Sequence, residues 1–152
     1  MTAQIVFLNA PLDTTTDPEQ YATGLIGFGT VHVHGAAKTP TFVRLAQEPL
    51  RGQSTLVLSE APQGWRVGDR VVIPDTRQLR YNETGLQGST LVPQWETLVI
   101  SAINDKSITV TTPLRFDHRG ARSSITGTLD FLPHVMNMSR NVILKSENPA
   151  GV

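Results

Sequence analysis

Breaks in the chain leave little room for helix. Twelve glycines and ten prolines are spread at short intervals through 152 residues. Between them the apolar residues recur at every second position, the spacing of strands whose side chains alternate between two faces. The chain is therefore read as all-β.

Three parts follow from the spacing of the breaks. In residues 1–46, Gln4–Leu8 and Thr41–Ala46 read as strands, and Asp13–Gln20 as a polar loop with room for one helical turn. The stretch Gly24–Gly35 carries Gly every few residues between short apolar runs, which suits successive rungs of a right-handed parallel β-helix with tight corners. Residues 47–115 read differently. Ser54–Ser59, Arg70–Pro74, Trp95–Ile103 and Ser107–Thr112 are strands, and Asn104-Asp-Lys106 has hairpin-turn chemistry. Strands and turns at this spacing predict a small antiparallel barrel or sandwich inserted between β-helix rungs. In residues 116–152, Leu129–Pro133 and Arg140–Lys145 are strands that resume the rung pattern. A solenoid rung buries its apolar face only against neighbours above and below, and no cap is legible after Asn148. The expectation is a piece of a longer β-helix, with open ends prone to self-association.

The totals narrow the functional classes. Thirteen basic and thirteen acidic side chains give a formal net charge of zero, which provides no electrostatic reason to seek nucleic acid. Cysteine is absent, so disulfides, thiolate metal sites and Cys nucleophiles are excluded. No run reaches the roughly 18 apolar residues of a membrane span, and Met1–Ala10 lacks the basic start and the length of a signal peptide. No Gly-x-Ser-x-Gly elbow, phosphate-cradling loop or coenzyme box is present, so no cofactor is expected.

Five stretches taken in order resemble one family: Gly29-Thr-Val-His-Val-His-Gly35, Thr39-Pro-Thr-Phe-Val-Arg44, Gly64-Trp-Arg-Val-Gly-Asp-Arg-Val-Val-Ile73, Leu114-Arg-Phe-Asp-His118 with Gly120, and Met138-Ser-Arg-Asn-Val142. Trp-x-x-Gly-Asp-x-Val-x-Ile alone is a common strand-turn-strand phrase; the ordered set is more specific. It is similar to the G8-domain family of secreted and cell-surface proteins, and most of all to its bacterial members, over about Ile5–Gly151. The resemblance implies the end of a G8 domain followed by the start of a right-handed β-helix. It also implies an extracellular protein that adheres to or acts on polysaccharide, some members depolymerising hyaluronan. The chain departs from the animal members in having no cysteine.

Several residues can carry chemistry. Asp117 and His118, followed by Arg119 and Arg122, place a carboxylate, an imidazole and two guanidiniums within six residues. Such a set suits an acidic sugar, or acid–base attack on a glycosidic bond by Asp117 and His118; it equally suits a loop whose His118 ties down backbone. Asp75 and Arg77 open a long polar loop with Arg80 and Tyr81, which offers the planar and bidentate contacts that hold sugars, or is a plain surface loop. His32 and His34 share one strand face, a start for a metal site, but two histidines do not make one, so an outward polar face is favoured and no metal is assigned. Trp65 and Trp95, the latter alternating with Thr97 and Val99, are expected in the core, and Asp69 is expected to cap its own turn. Three functions stay open: a polysaccharide-binding or -cleaving segment, a structural or adhesive module without a site, and a metal-dependent enzyme built on His32 and His34.

Overall fold

The computed structural model describes residues 2–9, 13–19, 21, 24–78 and 92–148. The described residues are all-β, with strands β1 (Ala3–Phe7), β2 (Phe42–Arg44), β3 (Thr55–Val57), β4 (Arg70–Ile73), β5 (Glu96–Asn104), β6 (Ser107–Val110), β7 (Ala121–Arg122), β8 (Leu129–Phe131), β9 (His134–Asn137) and β10 (Val142–Ser146). No helix among them is long and apolar enough to cross a membrane. The chain divides into two compact units, residues 37–139 and the two flanks 1–36 and 140–152. These boundaries differ from those expected at 46 and 115, because β2 and β9 are taken up by the antiparallel sheet.

Unit 37–139 is built on six strands in the order β2-β9-β4-β5-β6-β3, every neighbour antiparallel. The two edge strands meet again beyond their ends. Leu45 bridges Leu58, the Ala46 N–H donates to the Val57 carbonyl at 2.7 Å, and the Ser59 N–H donates to the Arg44 carbonyl at 2.8 Å. The sheet thus curls on itself, helped by a register shift between Ile100 and Ala102 that bends β5. Each strand contributes apolar side chains at alternate positions to one interior, among them Val43, Leu56, Val71, Leu98, Ile108 and Val135. The hairpin at Asn104-Asp-Lys106 forms as its chemistry predicts, with Asp105 in the left-handed region at φ 48°. β9 escaped the sequence reading: a four-residue run behind Pro133 gives a weak periodic signal, yet it lies between β2 and β4.

The two tryptophans part company. Trp65 is buried in the core, and its Nε1–H donates to the Pro40 carbonyl at 2.9 Å. The preceding Gly64, at φ 76°, has no room for a side chain, since a Cβ there would lie 2.1 Å from the Ala37 carbonyl oxygen. Trp95 corrects the expectation. It is 54% exposed, and β5 turns Glu96, Leu98 and Ile100 inward instead of Trp95, Thr97 and Val99. Strand period fixes only that one of two sets is buried; here the buried set includes a carboxylate with partners of its own.

A polar cluster is buried in this unit around Asp69. Asp69 caps its turn by accepting the Arg66 N–H at 2.8 Å, as expected. The same oxygen receives Lys38 Nζ and, at 2.8 Å, the side-chain amide of Asn137, which is fully buried at the end of β9. Burial opposes the charge on Asp69, but Lys38 and Asn137 more than offset it and hold the carboxyl below its ordinary value.

In the flanking unit β1 and β10 pair in parallel, Ala3 opposite Val142 through Phe7 opposite Ser146. Asn141 extends the pair: its carbonyl accepts the Ala3 N–H at 2.8 Å and its side chain the Ala36 N–H at 2.6 Å. The segment 13–17 makes the single turn expected of it, with the Asp17 N–H donating to the Asp13 carbonyl at 2.9 Å. The short strands expected in Gly24–Gly35 do not form. His32 and His34 are exposed with their rings stacked 5.8 Å apart, and no group of three or more metal-binding side chains occurs among the described residues.

Three substitutions test this packing. Trp65→Ala is expected to lower the free energy of unfolding by about 3–5 kcal/mol, and Trp95→Ala by less than about 1 kcal/mol, in urea titrations followed by circular dichroism. Removing Lys38 alone, as Lys38→Met, strands the buried Asp69 carboxylate, and a loss of about 3–5 kcal/mol is expected.

Candidate functional site: an arginine-lined groove

The groove is assembled around Glu96, the first residue of β5. Its side chain is 2% exposed and would be costly there as an unpaired charge. It is fully partnered. The Arg115 N–H reaches both carboxylate oxygens at 3.1 and 3.0 Å, the Phe116 N–H donates to Oε1 at 3.2 Å, Arg115 Nε lies 3.3 Å from Oε2, and His118 Nε2 lies 3.0 Å from Oε1. Burial by itself would raise the Glu96 pKa; the His118 bond and the two backbone N–H groups reverse this and keep it lowered. The segment after β6 is thereby folded against the end of the sheet, and its side chains Arg115, Asp117 and Arg119 point to the surface.

His118 accordingly does not reach a ligand. Its side chain is 1% exposed, Nδ1 faces the Pro74 carbonyl at 3.0 Å, and Nε2 faces Glu96. The catalytic role expected for it is corrected by this burial: a side chain that must touch a reacting bond cannot be enclosed with both ring nitrogens committed. Asp117, its expected partner, lies on the other side of the backbone, 44% exposed. It accepts the Arg51 N–H at 2.9 Å and Arg119 Nη2 at 3.2 Å, and these contacts lower its pKa.

Asp75, Arg77, Arg119 and Arg122 come together although the outermost pair is 47 residues apart in sequence. The groove, about 550 Å³ in volume, is lined by Arg51, Thr76, Arg77, Gln78, Gln94, Arg115, Phe116, Asp117, Arg119, Gly120 and Arg122. Asp75 stands behind Arg77, clamped to its Nε and Nη2 and also accepting the N–H of Gln94 at 2.9 Å. The guanidinium holds the Asp75 carboxyl far below the usual carboxylate range. Arg122 is held in the same two-pronged way by Glu48, at 2.6 and 2.9 Å, and Glu48 also takes the Gly120 N–H at 2.8 Å. Arg122 lowers the Glu48 pKa, and the carboxylate in turn raises that of Arg122. Gly120 has to be glycine at this point, since a Cβ would meet the Phe131 carbonyl at 2.4 Å. Arg80 and Tyr81 lie outside the described residues.

Sequence reading missed Arg51, Arg115, Glu48 and Glu96. Arg115 was in the quoted stretch Leu114–His118, and its position beside Asp117 was the available signal. Glu48 and Glu96 carried none, because nothing in a single sequence ties residue 48 to residue 122 or residue 96 to residue 118.

An all-β chain with a curled antiparallel sheet and an arginine-lined groove is what fold and site define. No protein-family model matches it. Among curated proteins it is 26% identical over 118 residues to fibrocystin of the dog, Canis lupus familiaris, covering 77% of this chain and 3% of that protein. It is also 26% identical over 120 residues to a G8 domain-containing protein of Dictyostelium discoideum, covering 79% of this chain and 9% of that one. The chain therefore spans a small fraction of these relatives. Among solved structures it overlaps tailspike gp61 of Pseudomonas phage phi297, with TM-score 0.46, 12% identity, and coverage of 72% of this chain and 16% of that one. The gp54 tailspike of Acinetobacter baumannii bacteriophage AP22, solved in complex with capsular saccharide, gives 0.43, 14%, 72% and 17%.

The paired carboxylates fix the acid response. Asp69, Asp75, Glu48 and Glu96 all have folded-state values below the ordinary 3.8 and 4.5 of Asp and Glu. The stability they contribute is complete above those ordinary values and is lost as pH falls through the folded ones. Unfolding free energy should thus hold from pH 7 to about 5 and drop below about pH 4. The double variant Asp75→Asn with Glu48→Gln should start less stable and lose less on acidification.

Proposed function

We propose that this chain is a segment of an extracellular protein of the G8-domain type and that its groove binds an acidic polysaccharide. The observation that carries the reading is the convergence of five arginines, Arg51, Arg77, Arg115, Arg119 and Arg122, from three distant stretches of sequence onto one concave surface. Arg115 and Arg119 keep most of their side chains in solvent, at 72% and 62% exposure, and each gives only one nitrogen to a carboxylate. Their remaining donors match sugar carboxylates or sulfates, and Gln78, Gln94 and Thr76 supply partners for hydroxyls. Phe116 adds a ring, with the Arg115 guanidinium 5.3 Å from its centroid. The similarity to a G8 domain-containing protein supports the same reading.

Binding is favoured over glycosidic hydrolysis. Glycosidic hydrolysis requires a carboxylic acid that keeps its proton near neutral pH. Among the described residues every carboxylate at or behind the groove, Glu48, Asp75, Glu96 and Asp117, is shifted the other way by the cations and N–H groups around it. We also read the parallel pair β1–β10 as neighbouring rungs of a right-handed β-helix, with unit 37–139 inserted between them in the sequence. The exposed Ile5, Val6, Ile143 and Leu144 of that pair are the surface for the self-association expected of open rungs.

Hyaluronan oligosaccharides and heparin are expected to bind the 152-residue chain in calorimetry, with affinity falling as salt is raised, whereas neutral dextran is not. Replacing Arg115 and Arg119 together by Ala should weaken binding about tenfold or more. Equal affinity for dextran, or wild-type affinity in the double variant, would sink the assignment. Neither glycan should be shortened on prolonged incubation.

A further inference from the structure

The outer face of β2 and β9 carries a concavity of about 310 Å³, lined by Phe42, Val43, Arg44, Ser59, Glu60 and His134. We infer that it is a second binding site, separate from the arginine-lined groove, and that it takes the ring of an uncharged sugar. Strand alternation builds it. β2 buries Val43 and turns Phe42 and Arg44 outward. Across the ladder Arg44 stands opposite His134, and the Phe42 and His134 rings meet edge to face, with centroids 5.8 Å apart and planes at 62°. Ser59 and Glu60 follow β3 to the same place, where the Ser59 N–H donates to the Arg44 carbonyl at 2.8 Å.

Two properties set this concavity apart from the groove. Its aromatic wall is open, with Phe42 59% exposed. Its polar groups are also uncommitted. Arg77, Arg115, Arg119 and Arg122 each meet a carboxylate, whereas Arg44 lies over the Phe131 ring, 5.7 Å from its centroid. Among the described residues, the side chains of Arg44, Ser59, Glu60 and His134 have no hydrogen-bond or ion-pair partner. One guanidinium and one carboxylate in so small a space cancel. An anion gains Arg44 and is repelled by Glu60, and a cation meets the reverse. A ring with hydroxyls uses both, since the carboxylate accepts from them and the guanidinium donates to them. Its C–H face covers the exposed ring of Phe42. The volume, at the low end for small-molecule sites, holds about one or two sugar rings.

The test uses the whole chain labelled with ¹⁵N, with methyl β-galactoside and methyl β-glucoside as probes. A ring of roughly a dozen non-hydrogen atoms is expected to bind with a Kd of about 1–10 mM. Such contacts are read from amide shifts at up to about 50 mM sugar, and are too weak to register in the calorimetric comparison with dextran. The amides of Phe42, Arg44, Ser59, Glu60 and His134 should shift and saturate with at least one probe, and those of Arg115–Arg122 should stay in place. Added salt should leave the midpoint unchanged, because no net charge is paired. Phe42→Ala should weaken sugar binding about tenfold or more, and Glu60→Gln about 3–10-fold. Both side chains are exposed, so the rest of the spectrum and the affinity for hyaluronan should match wild type. Several results would overturn the site: no saturable shift with either sugar, wild-type sugar affinity in Phe42→Ala, or tighter binding of methyl glucuronide than of the glucoside at these amides. Zwitterionic phenylalanine shifting them where the sugars do not would do the same. Hyaluronan reads the groove separately, so failure of one site leaves the other standing.

Discussion

A single buried carboxylate organises the part of this molecule that forms the arginine-lined groove. Glu96 sits at a position where strand alternation calls for an apolar side chain, and its charge is tolerable only because five donor contacts surround it. Those contacts fold residues 115–118 onto the sheet, and with them come Arg115, Asp117 and Arg119. Glu96 shares that task with residues 49–53, which bond Leu114, Asp117 and the His118 backbone N–H from the other side.

The groove's charges are graded by how they are held. Arg77 and Arg122 are each clamped by a carboxylate at two nitrogens, which fixes their planes and partly neutralises them. Arg115 and Arg119 are tethered by one nitrogen and extend into solvent. The result is two fixed guanidiniums beside two that keep their rotamer freedom.

Local chemistry was legible in the sequence and distant pairing was not. The hairpin at Asn104–Lys106, the strand before it, the capping role of Asp69 and the burial of Trp65 were all readable, because each depends on residues within one turn or one strand. Arg77, Arg119, Arg122 and Asp117 were singled out within two separate loops, but their meeting depends on a curled sheet that no local pattern encodes. Trp95 was misplaced because alternation defines two faces without saying which is inside, and aromatic size outweighed Glu96. His118 was noticed for its chemistry, yet its surroundings are residues 74 and 96, invisible from position 118. The Lys38–Asp69–Asn137 cluster joins three stretches for the same reason that it escaped notice: each member looks like an ordinary surface residue on its own.

The course of the chain into and out of the curled sheet has a consequence for ancestry. β2 and β9 lie side by side with Phe42 opposite Met136, and the Asn137 N–H donates to the Thr41 carbonyl at 2.8 Å. Entry and exit of a hundred-residue body are thus a hydrogen bond apart. A cassette with its ends so close can be spliced into a surface bend of almost any host at little cost in chain closure. Accommodating such a body asks of a host only one bend that can open, whatever the host's own scaffold.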